Sequence, residues 1–143
     1  MIVATAVDTA VFAYALGGEH PMRAAARRLL ELARDQKLHL HASVEMVQEI
    51  AFHRMRRTDR SRALEEAQDI AQLCYLHDYT AVVLSSGLAL MATHEHLRGR
   101  DAVHAATVIE AGIPTFVSPD HAFDGIPGIE RLDIATAVER FQP

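Results

Sequence analysis

Apolar residues fall along this chain in short β-branched runs that alternate with longer stretches of helical periodicity. Ile2 to Val7 is the first run, a buried strand by its pattern, and it ends at Asp8-Thr9. Val11, Phe12, Tyr14, Ala15 and Leu16 then suit a short helix halted by Gly17-Gly18. His20 to Gln36 reads as a second helix, with Pro21 near its first position and Ala25, Leu29, Leu32 and Ala33 inward. Lys37 to Ala42 alternates as a strand. Ser43 can cap a helix running to about Arg57, with Val44, Val47, Ile50 and Ala51 on the buried side. Ala63 to His77 continues as an amphipathic helix with Leu64, Ala67, Ile70, Ala71 and Cys74 inside. Tyr79 to Val83 reads as a brief extended piece, and Ser85 to His96 as an apolar helix. Arg98 to Ala111 predicts a further helix, stopped by Gly112 and Pro114. Ile113 to Val117 follows as a short buried strand, broken by Ser118-Pro119. Ile129 to Leu132 is a last strand, and Ala135 to Phe141 a terminal helical turn or two. Strands alternating with helices predict one α/β domain over residues 1–143, with a mostly parallel sheet flanked by helices.

Composition narrows the chemistry. The net charge of −5 argues against indiscriminate nucleic-acid binding. Of the 14 basic residues only Lys37 is a lysine, so no phosphate-binding G-x-x-x-x-G-K-[ST] loop exists. Arginine suits bidentate phosphate contacts, although genomic composition accounts for its excess equally well. The single cysteine, Cys74, excludes an intrachain disulfide and fits a reducing compartment. The uncharged run Tyr79 to Thr93 is too short to span a bilayer. No basic segment precedes the N-terminal apolar run, so no signal peptide is expected. A cytoplasmic protein with no membrane association is the resulting expectation.

Acids stand where strands end. Asp8 follows the first strand, Asp120 and Asp124 follow the Ile113–Val117 strand, and Asp101 lies in the first turn of a helix. Ligands of open α/β sheets bind just outside the carboxyl ends of strands. Each acid alone also has a plain explanation: helix capping for Asp8 and Asp101, turn formation for Asp120. If the first strand and the Ile113–Val117 strand are neighbours, Asp8 and Asp120 meet at one edge. Asp101 then enters from one helix and Glu49 from the middle of another. Four converging carboxylates repel one another unless a cation neutralises them. Oxygen-only donors suit Mg²⁺ or Mn²⁺. A metal held this way can activate water for phosphodiester hydrolysis. Glu45 lies a turn before Glu49, but at the helix start, where the unpaired N–H groups already account for an acid.

In order along the chain, DTAVFAYA after the first strand, SVEMVQEI, RDAVHAA and FVSPDHAFD resemble the motifs of PIN-domain nucleases. Among these the likeness is nearest to the VapC-like toxins of bacterial VapBC toxin–antitoxin pairs, and it extends from about Ile2 to Leu132. The resemblance implies a single PIN-like domain with acidic ligands at Asp8, Glu49, Asp101 and Asp120. It adds Asp124 as a supplementary acid, and Thr9 and Ser118 as polar residues supporting the metal network. It further implies Mg²⁺- or Mn²⁺-dependent endoribonuclease activity, a homodimer, and inhibition by a cognate antitoxin protein. The alternative is a PIN-like protein that is catalytically silent and acts only by binding a partner.

Other readings fail on particular residues. A HAD-like phosphatase needs an acid where Ala10 stands, a receiver domain needs a late lysine, and no H-E-x-x-H zinc motif occurs. The segment Arg54 to Arg62 holds five Arg against one Asp, a local charge of +4. Arg54, Arg57 and Arg60 are expected to contact RNA or the antitoxin, with a solvated helix end as the competing reading. His104 shares a helix face with Asp101, and the expectation is a packed or solvent-facing imidazole. Val82 to Met91 carries more apolar positions than one helix face can hide, which predicts a homodimer surface there.

Overall fold

A computed structural model describes residues 2–143. The chain runs β1 (Val3–Val7), α1 (Thr9–Leu16), α2 (Arg23–Arg34), β2 (Leu38–Ser43), α3 (Val44–Met55), α4 (Arg60–Leu73) and β3 (Tyr75–His77). It continues through α5 (Ala81–Thr93), α6 (Gly99–Ala111), β4 (Thr115–Val117), a 3₁₀ turn (His121–Phe123), β5 (Glu130–Leu132) and α7 (Ile134–Phe141). The five strands form one sheet in the order β3-β2-β1-β4-β5, every pair parallel. Strand order reverses between β1 and β4, and such a switch point opens a crevice at the carboxyl ends.

Both faces of the sheet are covered, as a parallel sheet requires. Side chains alternate across each strand. Val7, Leu38, Leu40, Val117 and Leu132 therefore point into one core with Phe12, Leu29, Leu32, Met46, Ile50 and Ile134. Ala6 and Phe116 point into the other, against Ala105, Val108 and Phe123. Asp8 N donates to Val117 O at 3.0 Å, and the Thr5 and Thr115 hydroxyls meet at 2.6 Å, fixing β1 against β4. Gly112 ends α6 at φ 72°, in the left-handed region that glycine enters without a Cβ penalty.

The architecture matches the pattern reading, with local corrections. Tyr79 to Val83 is not extended. Thr80 accepts from Val83 N and starts α5 four residues ahead of the expected Ser85. β-branched Val82 and Val83 suggest a strand, but the cap decides the local conformation. The helix expected to reach His77 ends at Leu73, and Tyr75–His77 pairs with β2 instead. Leu64, expected inside, is 38% exposed, while its neighbour Ala63 is buried. On α3 the fully buried residues are Met46, Ile50 and Arg54; of those expected inward, Ile50 is buried, Val47 packs half-buried against the core, and Val44 and Ala51 are half-buried. β4 is shorter than predicted, with Ile113 and Pro114 left in the connection from α6. Among the described residues no helix is long and apolar enough to cross a membrane.

Candidate active site

Asp8 sits at the carboxyl end of β1 as the N-cap of α1. One carboxylate oxygen accepts from Thr9 N at 2.8 Å, and the other from Ser118 Oγ at 2.7 Å. Ser118 follows β4, so this bond crosses the switch point. The same hydroxyl accepts from Asp120 N at 3.1 Å and links the two strand-end acids. Asp120 in turn accepts from Ala122 N at 2.9 Å. Its turn role is therefore real, yet its charge also reaches the cleft.

Asp101 enters from the first turn of α6. Arg98 occupies the N-cap position without a side-chain capping bond, so helix capping does not account for this acid. Burial, then the charges of Asp8 and Asp120, push its carboxyl up to about 6, and Glu49 adds to the effect. Asp8 is likewise raised, chiefly by burial and against the hydrogen bond from Ser118. Glu49 moves the opposite way. Its hydrogen bond with His104 is the main cause, and it holds Glu49 below the usual carboxylate range. Asp8, Asp120 and Glu49 are thus near enough for their charges to bear on Asp101, and the proton affinities of Asp101 and Glu49 are driven apart.

His104 is the site residue that sequence reasoning undervalued. It is 4% exposed. Its Nδ1 is 2.9 Å from Ser43 Oγ and its Nε2 is 3.3 Å from a Glu49 oxygen. Ser43 also caps α3 by accepting from Met46 N. A buried imidazole therefore joins the start of α3, the acid one turn and a half along it, and α6. The available signal was the i, i+3 spacing from Asp101, which puts both residues on one helix face. Thr9 Oγ1 is buried and makes no hydrogen bond, although it lies close enough to Glu49 to help lower its pKa.

The remaining expected residues lie elsewhere. Asp124 is not among the acids that act on Asp101. Arg131 Nε binds one of its oxygens at 2.6 Å and His121 Nδ1 the other at 2.8 Å, which holds its pKa low. Arg131 also donates to Ser118 O and to Asp133, so Asp124 belongs to a clasp around the turn after β4. Arg54 is buried, with its Nε donating to Glu66 Oε1 at 3.1 Å across α3 and α4. Arg57 and Arg60 are exposed.

Oxygen donors, mutual repulsion and an unpartnered hydroxyl give this crevice the chemistry of a hard divalent cation site. Among the described residues no three His, Cys, Asp or Glu side chains converge closely enough to hold an ion in this arrangement.

Comparison with known proteins agrees with this geometry. The PIN domain family profile matches residues 5–129. Ribonuclease VapC7 of Mycobacterium tuberculosis is 35% identical over 119 residues, covering 82% of each chain. Ribonuclease VapC13 of the same organism is 31% identical over 128 residues, covering 88% of this chain and 97% of its own. The fold is similar to that in the crystal structure of VapBC2 from Rickettsia felis bound to a promoter DNA fragment. That match has a TM-score of 0.69 and 16% identity, and covers 92% of this chain and 100% of the other. A toxin–antitoxin complex from Klebsiella pneumoniae gives a TM-score of 0.66 at 16% identity, covering 88% and 95%.

Proposed function

Since this chain belongs to the PIN-domain family, we propose that it is a metal-dependent endoribonuclease, the toxin of a VapBC-type toxin–antitoxin pair acting in the cytoplasm. One observation carries the reading: at the β1–β4 switch point the Ser118 hydroxyl bridges Asp8 and Asp120, and the charges of Asp8, Asp120 and Glu49 all bear on Asp101. Relatives named ribonuclease VapC, at 35% and 31% identity, support RNA as the substrate.

In this reading Asp8, Asp101, Glu49 and Asp120 would hold Mg²⁺ or Mn²⁺, which when bound would supply an activated water and charge stabilisation for phosphodiester hydrolysis. Ser118 fixes the Asp8 carboxylate through the 2.7 Å bond. His104 and Ser43 orient Glu49 from behind, as outer hydrogen bonds orient metal ligands generally. Thr9 keeps a free hydroxyl beside Glu49. Asp124 takes a structural part with Arg131 rather than a ligand's part.

The surface supports a homodimer. Val82, Leu84 and Leu88 of α5 are 61%, 46% and 54% exposed, an apolar group that a second copy of the chain would cover. Solved neighbours that are VapBC or toxin–antitoxin complexes support an antitoxin protein as the other partner.

The test is cleavage of bulk RNA with Mg²⁺ or Mn²⁺, its loss in EDTA, and its suppression by the product of the adjacent reading frame. RNA left intact in both metals refutes the enzyme and leaves the alternative, a silent PIN-like interaction protein.

A further inference from the structure

Beyond the acids, one face of α3 continues toward a second feature. Glu49 and His53 stand four residues apart on one face of α3, and Arg57 follows in the turn after the helix. His53, Arg54 and Arg57 border a groove of about 620 Å³ between the end of α3 and the carboxyl end of α1. That volume is within the ~300–1,000 Å³ typical of ligand clefts. Three properties of the groove are chemically specific. His53 Nδ1 is buried and has no hydrogen-bond partner. Tyr14 and His20, on the opposite wall, stack with ring centroids 4.3 Å apart and planes 19° from parallel. Met22 N donates to His20 Nδ1, which sets the orientation of that exposed ring.

The groove's charge is nearly balanced. Arg54 lines it but is paired with Glu66, and Glu19 at the lip opposes Arg57. A balanced groove with a stacking pair and an unpaired imidazole nitrogen suits a nucleobase better than a run of phosphates. Bases of single-stranded RNA are read by stacking on aromatic rings and by hydrogen bonds to their edges. Arg57, which donates to His53 O and has no carboxylate partner among the described residues, is placed for one backbone phosphate.

We infer that the α1–α3 groove is a base-recognition subsite for one nucleotide flanking the scissile phosphodiester, with His20 and Tyr14 as the stacking platform, His53 as the edge reader and Arg57 as the phosphate contact. This rests on the ribonuclease reading above and adds a specificity determinant to it.

The test uses the full chain in EDTA, where bound RNA stays intact. Fluorescence anisotropy measures binding of short single-stranded oligoribonucleotides of defined sequence to wild type and to Arg57→Gln, His20→Ala and His53→Gln. Arg57 and His20 are exposed, so these two variants report on binding without a folding penalty, checked by circular dichroism. His20→Ala should weaken binding at least about fivefold and narrow the difference between sequences. Arg57→Gln should weaken all sequences alike and lower the salt slope by about 1. Cleavage sites mapped on a mixed-sequence RNA pool with Mn²⁺ should lose their preference at one position in His53→Gln. Wild-type affinity, salt slope and site preference in all three variants would overturn the subsite while leaving the nuclease standing. Variants that bind RNA normally but no longer hold the neutralising protein would assign the groove to that protein and overturn the proposal. A wild type that neither binds nor cuts RNA fails the underlying reading instead.

Discussion

Replacing Asp101 by Asn should stabilise the metal-free protein while removing its proposed activity. Asp101 takes its proton at about 6 in the folded chain, against an ordinary value of 3.8. Between those values the folded state holds a proton that the unfolded state has lost, so stability falls as pH rises through that window. Above it the full penalty is present. Two pH units at ~1.36 kcal/mol each set a ceiling of roughly 3 kcal/mol. Asp101 is half-buried, and screening by solvent lowers the figure to about 1–2 kcal/mol. In a chain of this size that is about 3–7 °C in Tm. Thermal melts in EDTA should put the Asn variant above wild type at pH 7.5, and the gap should close below pH 4, where Asp101 is protonated in both states. Adding Mn²⁺ should raise the wild-type Tm by mass action and move the variant little. An Asn variant that melts below wild type at pH 7.5 in EDTA would mean that the acids do not repel across the crevice, and the reasoning would fail.

Three further outcomes are expected. Glu49→Gln should abolish cleavage with little change in the urea midpoint, whereas Glu45→Gln should stay active and lose at most ~1 kcal/mol at the helix start. An active Glu49 variant beside a dead Glu45 variant would reverse the assignment. Arg54→Ala should cost about 3 kcal/mol in urea denaturation by stranding Glu66, because both side chains of the pair are largely buried. A loss under ~0.5 kcal/mol would place that pair among ordinary solvated charges. Leu88→Glu should give a monomer by light scattering with an unchanged far-UV circular dichroism spectrum. Wild type scattering as a monomer at micromolar concentration removes the dimer.

The sequence pattern was most informative where one local rule acted alone. Gly112 and Pro114 stop α6 where expected, because a left-handed residue followed by proline leaves the chain no helical continuation. The parallel sheet was legible from its alternation with helices, and the pairing of β1 with β4 is the neighbour relation that Asp8 and Asp120 required. Misreadings arose where two rules competed. Val82 and Val83 favour a strand by side chain, but Thr80 supplies a helix cap. Leu64 is apolar yet exposed, because the phase of α4 is set by its packing on α3, which single-chain periodicity does not encode. His104 was obscure for the same reason. Its burial follows from the approach of α6 to β2 and α3, a tertiary event, although its spacing from Asp101 was visible.

The hydrogen bond from Ser118 to Asp8 spans 110 positions of sequence, and this sets a timetable for biosynthesis. Asp8 is made 110 positions before Ser118, the residue that follows its partner strand. At ~5–20 residues per second the ribosome needs roughly 5–20 s to bridge that interval. During it β1 has no β4 beside it, and the acids have no crevice to share. A nascent ribonuclease built this way stays unassembled, beside the ribosome's own RNA, until Ser118 and its strand have been synthesised. In the proposed pair, that delay is time in which a neutralising protein from an earlier reading frame can already be folded and waiting.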